Sequence, residues 1–240
     1  MTAAWEPVRQ ARTHELVLER IEQQVFSGQL HAGDRLPPER QLASVLGVSR
    51  SALREALRVL EAFGVLVAHT GRGPDAGASI TANPTGAVGR ILRLHLALGS
   101  YRTSDILEAR IMLERSNVAE SARRAGIADF EPAKQLLDTM EDDELTVIEY
   151  NELDTRFHTE LARCSGNELT RTLTAAVRES IRPILLNAME VADDWRTIEA
   201  SLHAEHREIL RLIRLGEPNK AACAVEDHIR RFHGTLTDND

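Results

Sequence analysis

The sequence predicts a mainly α chain in two parts: a short N-terminal group of helices closed by a small β-hairpin, and a C-terminal antiparallel all-helical bundle. Three observations carry this. Apolar residues recur at helical spacing over most of the 240 residues. The stretch that breaks that pattern, Val65-Leu66-Val67-Ala68, is followed by Gly71, Gly73 and Gly77 and then by a second short apolar run, Ala78 to Thr81. Beyond Asn83-Pro84 the helical segments are separated only by short breaks, as expected of antiparallel neighbours in a bundle.

Each element has its own local reason. From Arg9 to Phe26 the stripe Val17, Leu18, Ile21, Val25 predicts a first helix, ended by Ser27-Gly28 and the Gly33-Asp34 turn. Pro37 and Pro38 open a second helix, Glu39 to Leu46, because proline is tolerated in the first turn, where the amide has no helical partner. Gly47 closes it, Ser49 is placed to cap a third helix running to about Phe63, and Gly64 stops that one. The later helices are expected at Gly86 to Leu98, Ser104 to Ala125, Asp129 to Met140, Leu145 to Cys164, Asn167 to Val191, Asp194 to Leu215 and Pro218 to Phe232. These divide the chain into residues 1–82, a connecting helix at 83–100, and a bundle at 101–240.

The net charge of -8 would ordinarily argue against a nucleic-acid partner, since affinity for DNA comes largely from cations that neutralise phosphates. Its distribution removes the objection. Met1 to Thr81 carries nine Arg, no Lys and nine acidic residues, so all the net negative charge lies in the remainder. Cys164 and Cys223 are the only cysteines and have no disulfide-framework or zinc-motif spacing, which suits a reducing cytoplasm. No signal-peptide segment is visible, and the longest apolar stretch, Ala87 to Leu98, is interrupted by Arg90, Arg93 and His95, so no membrane association is expected.

The third helix divides into two faces. Leu53, Ala56, Leu57 and Leu60 lie on one side, and Arg50, Arg54 and Arg58 recur every fourth residue on another. On its own such a helix is more often a solvated surface element. Its position after a tight Gly47-Val48 turn gives it the division a DNA-reading helix needs, one side to bury and an N-terminal half to offer to base edges and phosphates. The string Gly33-Asp34-Arg35-Leu36-Pro37-Pro38-Glu39-Arg40-Gln41-Leu42-Ala43, followed by Leu46 to Leu57, closely resembles the winged helix-turn-helix signature of the GntR family. The resemblance implies that Arg40, Ser49, Arg50, Ser51 and Arg54 contact double-stranded operator DNA. It also implies that Gly71, Arg72 and Gly73 form a wing tip entering the minor groove. Pro74-Asp75-Ala76-Gly77-Ala78 departs from the family's usual continuation and lengthens the wing. By mechanism, Arg50 and Arg54 divide between phosphate positioning and guanine readout.

A second constellation lies in the C-terminal part. Asp154 and His158 stand four residues apart, so their side chains share one helix face. His206 falls in phase with Ile198, Leu202, Ile209 and Ile213, and His228 with Ala221, Val225 and Phe232, so both rings point inward, where an unpaired polar group is costly. Each taken alone is more often a core histidine satisfied by a hydrogen bond. Together, three imidazoles and a carboxylate would satisfy one another by sharing a divalent ion, zinc first, with nickel, manganese or iron also compatible with nitrogen and oxygen donors. Asp154-Thr155-Arg156-Phe157-His158, Ser165-Gly166-Asn167, His206-Arg207-Glu208-Ile209 and Ala224 to His228 resemble the metal-binding version of the FadR C-terminal domain, FCD, whose ligands correspond to Asp154, His158, His206 and His228. His203 is the nearest rival and does not fit that pattern. The two resemblances together cover about Thr13 to His233.

Glu108-Ala109-Arg110-Ile111-Met112-Leu113-Glu114 resembles the opening helix of the same domain, in which an arginine faces the ligand cavity. Arg110 is therefore expected to clamp a small carboxylate effector, or alternatively to pair with Glu114 one turn on. The expectation is a homodimeric, ligand-responsive regulator that addresses an inverted repeat and releases it when the effector binds, with activation as the other sign. A helical metalloenzyme using the Asp/His centre to activate water is the alternative from another class, and a pure metal sensor a third. The enzyme would need a nearby general base, and none is visible in the sequence; nor would it need the N-terminal domain.

Overall fold

A computed structural model describes residues 13–69, 77–192 and 194–237. Its Cα positions fall into two compact units, Met1–Ala87 and Val88–Asp240.

The first unit holds α1 (Thr13–Phe26), α2 (Glu39–Leu46), α3 (Arg50–Ala62), β1 (Leu66–His69) and β2 (Gly77–Ile80). Pro38 at φ -50° precedes α2, and Gly47 ends it in the left-handed region at φ 66°. Ser49 caps α3, its side chain accepting a hydrogen bond from the Ala52 amide at 3.2 Å. The strands pair antiparallel from Leu66 opposite Ile80 to His69 opposite Gly77, and Ser79 also makes an isolated bridge to Arg35. Val17 and Ile21 of α1, Ala43 of α2, Leu53, Ala56 and Leu60 of α3, and Leu36, Leu66 and Ile80 form one buried cluster. Strand β1 begins one residue later than its apolar run, at Leu66, which pairs with Ile80 and is the one buried residue of that strand.

The chain passes to the second unit within α4 (Thr85–Ala97). There follow α5 (Thr103–Arg123), α6 (Glu131–Thr139), α7 (Val147–Cys164), α8 (Glu168–Glu190), α9 (Trp195–Arg214) and α10 (Pro218–Thr237). Helix α5 packs against α10, α8, α7 and α9, and α7 against α8, so α5 runs through the middle of the bundle. Phe157, Leu161, Ile209, Ile213, Val225 and Ile229 belong to its core. Helix α10 continues beyond Phe232 and through Gly234, whose cost of about 1 kcal/mol relative to alanine is too small to end a docked helix. Among the described residues no helix is long and apolar enough to cross a membrane.

Candidate metal centre and basic groove

Helix α7 starts in a reciprocal cap, with Thr146 and Glu149 each accepting from the other's backbone amide. Two turns on, Asp154 and His158 face the bundle interior. Helix α9 brings His206 on the same stripe as Leu202, Ile209 and Ile213, and α10 brings His228 between Val225 and Ile229. All four side chains are buried, and one donor atom from each lies within 4.8 Å of the other three. His206 Nε2 is 3.2 Å from the Nε2 of both His158 and His228 and 3.1 Å from Asp154 Oδ1. His158 Nε2 is 3.5 Å from the same carboxylate oxygen. His203 points elsewhere, its Nε2 lying 3.0 Å from the carbonyl of Leu137.

A second set of side chains surrounds these four. Glu114 of α5 accepts from Arg110 Nε at 2.7 Å and from Arg178 Nη1 at 2.6 Å through one oxygen. Its other oxygen lies 2.6 Å from His158 Nδ1. Arg178 Nη2 donates to Asp154 Oδ2, so this one guanidinium on α8 spans two carboxylates. On the far side, Glu205 Oε2 is 2.8 Å from His228 Nδ1. His206 Nδ1 is buried with no hydrogen-bond partner among the described residues. Burial would raise the carboxyls of Glu114 and Asp154, but the Arg178 charge, joined by Arg110 at Glu114 and by the histidines at Asp154, holds both well below their usual range. Burial lowers His206 to about 4. Burial, followed by the charges of His206 and His158, takes His228 well below its usual value.

The donors fit a cation. With Nδ1–H of His158 and His228 assigned toward the flanking carboxylates, both Nε2 atoms turn lone pairs inward. Asp154 Oδ1 adds further lone pairs, and His206 can supply only one inward proton among them. A cluster with more acceptors than hydrogens is what one divalent ion would satisfy. Donors held 2.0–2.1 Å from a tetrahedral ion lie roughly 3.3–3.4 Å from one another. The four separations given above, 3.1 to 3.5 Å, bracket that value.

The N-terminal unit carries a different surface. Arg40, Arg50, Arg54 and Arg58 line a groove of about 740 Å³ together with Glu39, Glu61 and the hairpin residues His69 and Ala78. The side chains of Arg50 and Arg54 are 58% and 54% exposed, so neither guanidinium is consumed by the fold. Glu39 at the start of α2 accepts from Arg54 Nε at 2.6 Å, with Arg50 Nη2 3.9 Å from the same oxygen. Ser49 and Ser51 are exposed at the α3 N-terminus, their hydroxyls 2.9 Å apart. Gly71, Arg72 and Gly73 lie outside the described residues.

Residues 13–74 match the family model for bacterial regulatory proteins, gntR family, and residues 105–231 match the FCD domain. The chain is a GntR family regulator with an FCD domain.

This GntR regulator is 29% identical to the Glc operon transcriptional activator of Escherichia coli over 93% of its own length and 89% of that protein's. It is 27% identical to the putative L-lactate dehydrogenase operon regulatory protein of E. coli, covering 94% and 86%. Among solved structures, a Streptococcus agalactiae GntR protein matches with a TM-score of 0.58 and 26% identity, over 91% of this chain and 98% of that one. These relatives are transcription regulators and not enzymes, which removes the metalloenzyme alternative. The regulator binds DNA through its N-terminal domain, and its FCD domain binds an effector.

Sequence reasoning brought together Asp154, His158, His206 and His228, and the structure has them in one cluster. It named Arg110 and considered its pairing with Glu114, which the structure contains. Arg178 was missed. Its signal was a charged residue in helical phase with Thr174, Ile181 and Leu185, all buried. Glu205 gave none, because its partner is on another helix.

Proposed function

We propose that this GntR regulator is a homodimeric repressor that grips a palindromic operator through Arg40, Ser49, Arg50, Ser51 and Arg54, with Gly71, Arg72 and Gly73 at the wing tip. In this reading residues 1–82 form the DNA-binding domain, 83–100 connect, and 101–240 bind the effector and pair the subunits in the cytoplasm. A divalent ion, zinc first, is held by Asp154, His158, His206 and His228. When bound, it would offer an oxygen of a small carboxylate effector a further position by expanding beyond its four protein donors. Arg110 takes the carboxylate's other side, its Nε held by Glu114.

The observation that carries the reading is the convergence of four buried donors at ion-sharing distances in a chain whose other unit exposes a row of arginines. A bound divalent cation gives this interior a positive surplus, since Arg110 and Arg178 already balance Glu114 and Asp154, and a buried surplus of that sign favours an anionic ligand.

The test is binding to the protein's own promoter at several salt concentrations, with zinc and candidate carboxylic acids titrated separately. Weaker operator binding only when an acid is added to the zinc-loaded protein supports the reading. A response to zinc alone makes the protein a metal sensor, and no response to any acid sinks the carboxylate effector. Ligand-enhanced transcription would make it an activator, a reading favoured by the name of the Glc operon relative. Differential affinity for the two states is the requirement in either case.

A further inference from the structure

We infer that Glu205 is a positioning residue of the metal centre, holding His228 with its Nδ1–H outward and its Nε2 lone pair aimed at the ion; the inference rests on the metal reading above.

Three imidazoles converge, but their outer nitrogens are held differently. His158 Nδ1 meets Glu114, which is itself buried beneath two arginines. His206 Nδ1 meets nothing among the described residues. His228 Nδ1 meets Glu205 at 2.8 Å. That carboxylate is in turn held through its other oxygen, 3.3 Å from Arg231 Nη1 and 3.5 Å from the Ser201 hydroxyl. Both oxygens of Glu205 are thus committed, one inward to the ring and one outward to groups that fix its orientation.

The chemistry follows from imidazole's two nitrogens. A ring ligating through Nε2 must carry its proton on Nδ1, and a carboxylate there fixes that tautomer, stops rotation about the Cβ–Cγ bond and makes the ligating nitrogen more basic. Without Glu205, His228 could turn its Nε2–H toward the crowded interior, where the neighbouring lone pairs would accept it and a cation would be excluded. Glu205 also differs from Glu114 in location. It lines a surface pocket of about 430 Å³ between α9 and α10, beside Thr197, Ser201, Arg231 and Phe232, so it can be altered without emptying the core. The same pocket brings solvent to the outer edge of an otherwise buried centre.

The experiment uses the full-length protein, stripped of metal, and zinc alone as the probe, in competition with a chromophoric chelator. Glu205→Ala is expected to bind zinc about 10–100-fold more weakly than the parent. Glu205→Gln, whose amide oxygen still accepts from Nδ1–H but without charge, should fall between the two. Thermal melts of the metal-free variants should match the parent, and cobalt-loaded Glu205→Ala, at saturating cobalt, should keep the parent's visible absorption, since the ligand count is unchanged. Zinc affinity within twofold of the parent in Glu205→Ala overturns the inference. So does a metal-free melt that drops as far as the metal-loaded one, because that is the behaviour of a purely structural contact. If the parent itself takes up no zinc, cobalt, nickel, manganese or iron, the metal reading falls and this inference with it, an outcome distinct from a parent that binds and a variant that binds equally.

Discussion

At the scale of single residues, the two sites are built by opposite means. The basic groove keeps its charges in water, where each interaction is weak, and the buried Asp/His cluster takes its charges out of water, where each must be answered. Arg54 illustrates the first. Its bond to Glu39 is solvent-exposed and contributes little to stability. Arg54→Ala should therefore melt like the parent. In a salt series its operator affinity should fall at least about fivefold if Arg54 reads a base. If it neutralises a phosphate, the slope of log affinity against log salt should flatten by roughly 0.9. Parent-like affinity and slope would remove Arg54 from the interface. That the arginines of α3 face solvent was legible, because arginines recurring on a helix whose other face is leucine announce themselves by period. The inward convergence of Asp154, His158, His206 and His228 was legible because histidines in phase with isoleucines and valines are anomalous. Arg178 stood in the same kind of phase, with Thr174, Ile181 and Leu185, and was passed over, whereas Glu205 is defined by a neighbour on a different helix, which no local period records.

At the scale of elements, boundaries followed local chemistry. Proline before α2, serine before α3 and glycines after each were visible in the sequence and stand there in the structure. The end of α10 was not, because a helix held by packing along its length outlasts a weak stop signal. Gly64 offers a test at this scale. It sits at φ +70°, and a Cβ there would meet the Asn83 carbonyl oxygen at 2.7 Å, where the chain leaves the hairpin. Gly64→Ala should cost about 1 kcal/mol or more in chemical denaturation of the full-length protein. An unchanged midpoint would mean that the α3–β1 turn tolerates a side chain its geometry disfavours.

At the scale of the whole molecule, acid should act on the second unit in two stages. His206 and His228 are held neutral by burial, so in the folded state they decline protons that unfolded histidines accept from about pH 6.5 downward. The unfolded state therefore gains protons first, and stability of the metal-free protein should fall as pH drops from 7 to 5. Asp154 and Glu114, held ionised below their usual range, contribute stability that is full above about pH 4.5 and disappears as pH falls through their lowered folded values. Both effects have the same sign, in successive windows. Zinc at 100 times its dissociation constant should add about 2.7 kcal/mol at neutral pH and progressively less in acid, because protons compete for the same nitrogens. Melts at pH 7 and pH 5, with and without zinc, check this. A metal-free melting temperature unchanged between the two would contradict the buried neutral histidines.

Arg178 carries a consequence for substitution. Its flat fork reaches Glu114 with one arm and Asp154 with the other. A lysine keeps the charge but concentrates it at a single tip, so it can serve one of the two acids and must desert the other. Arg178→Lys should thus weaken zinc uptake and lower the melting temperature nearly as much as Arg178→Met. Were lysine to behave like the parent, the bridging arms would be dispensable and only the net charge would matter.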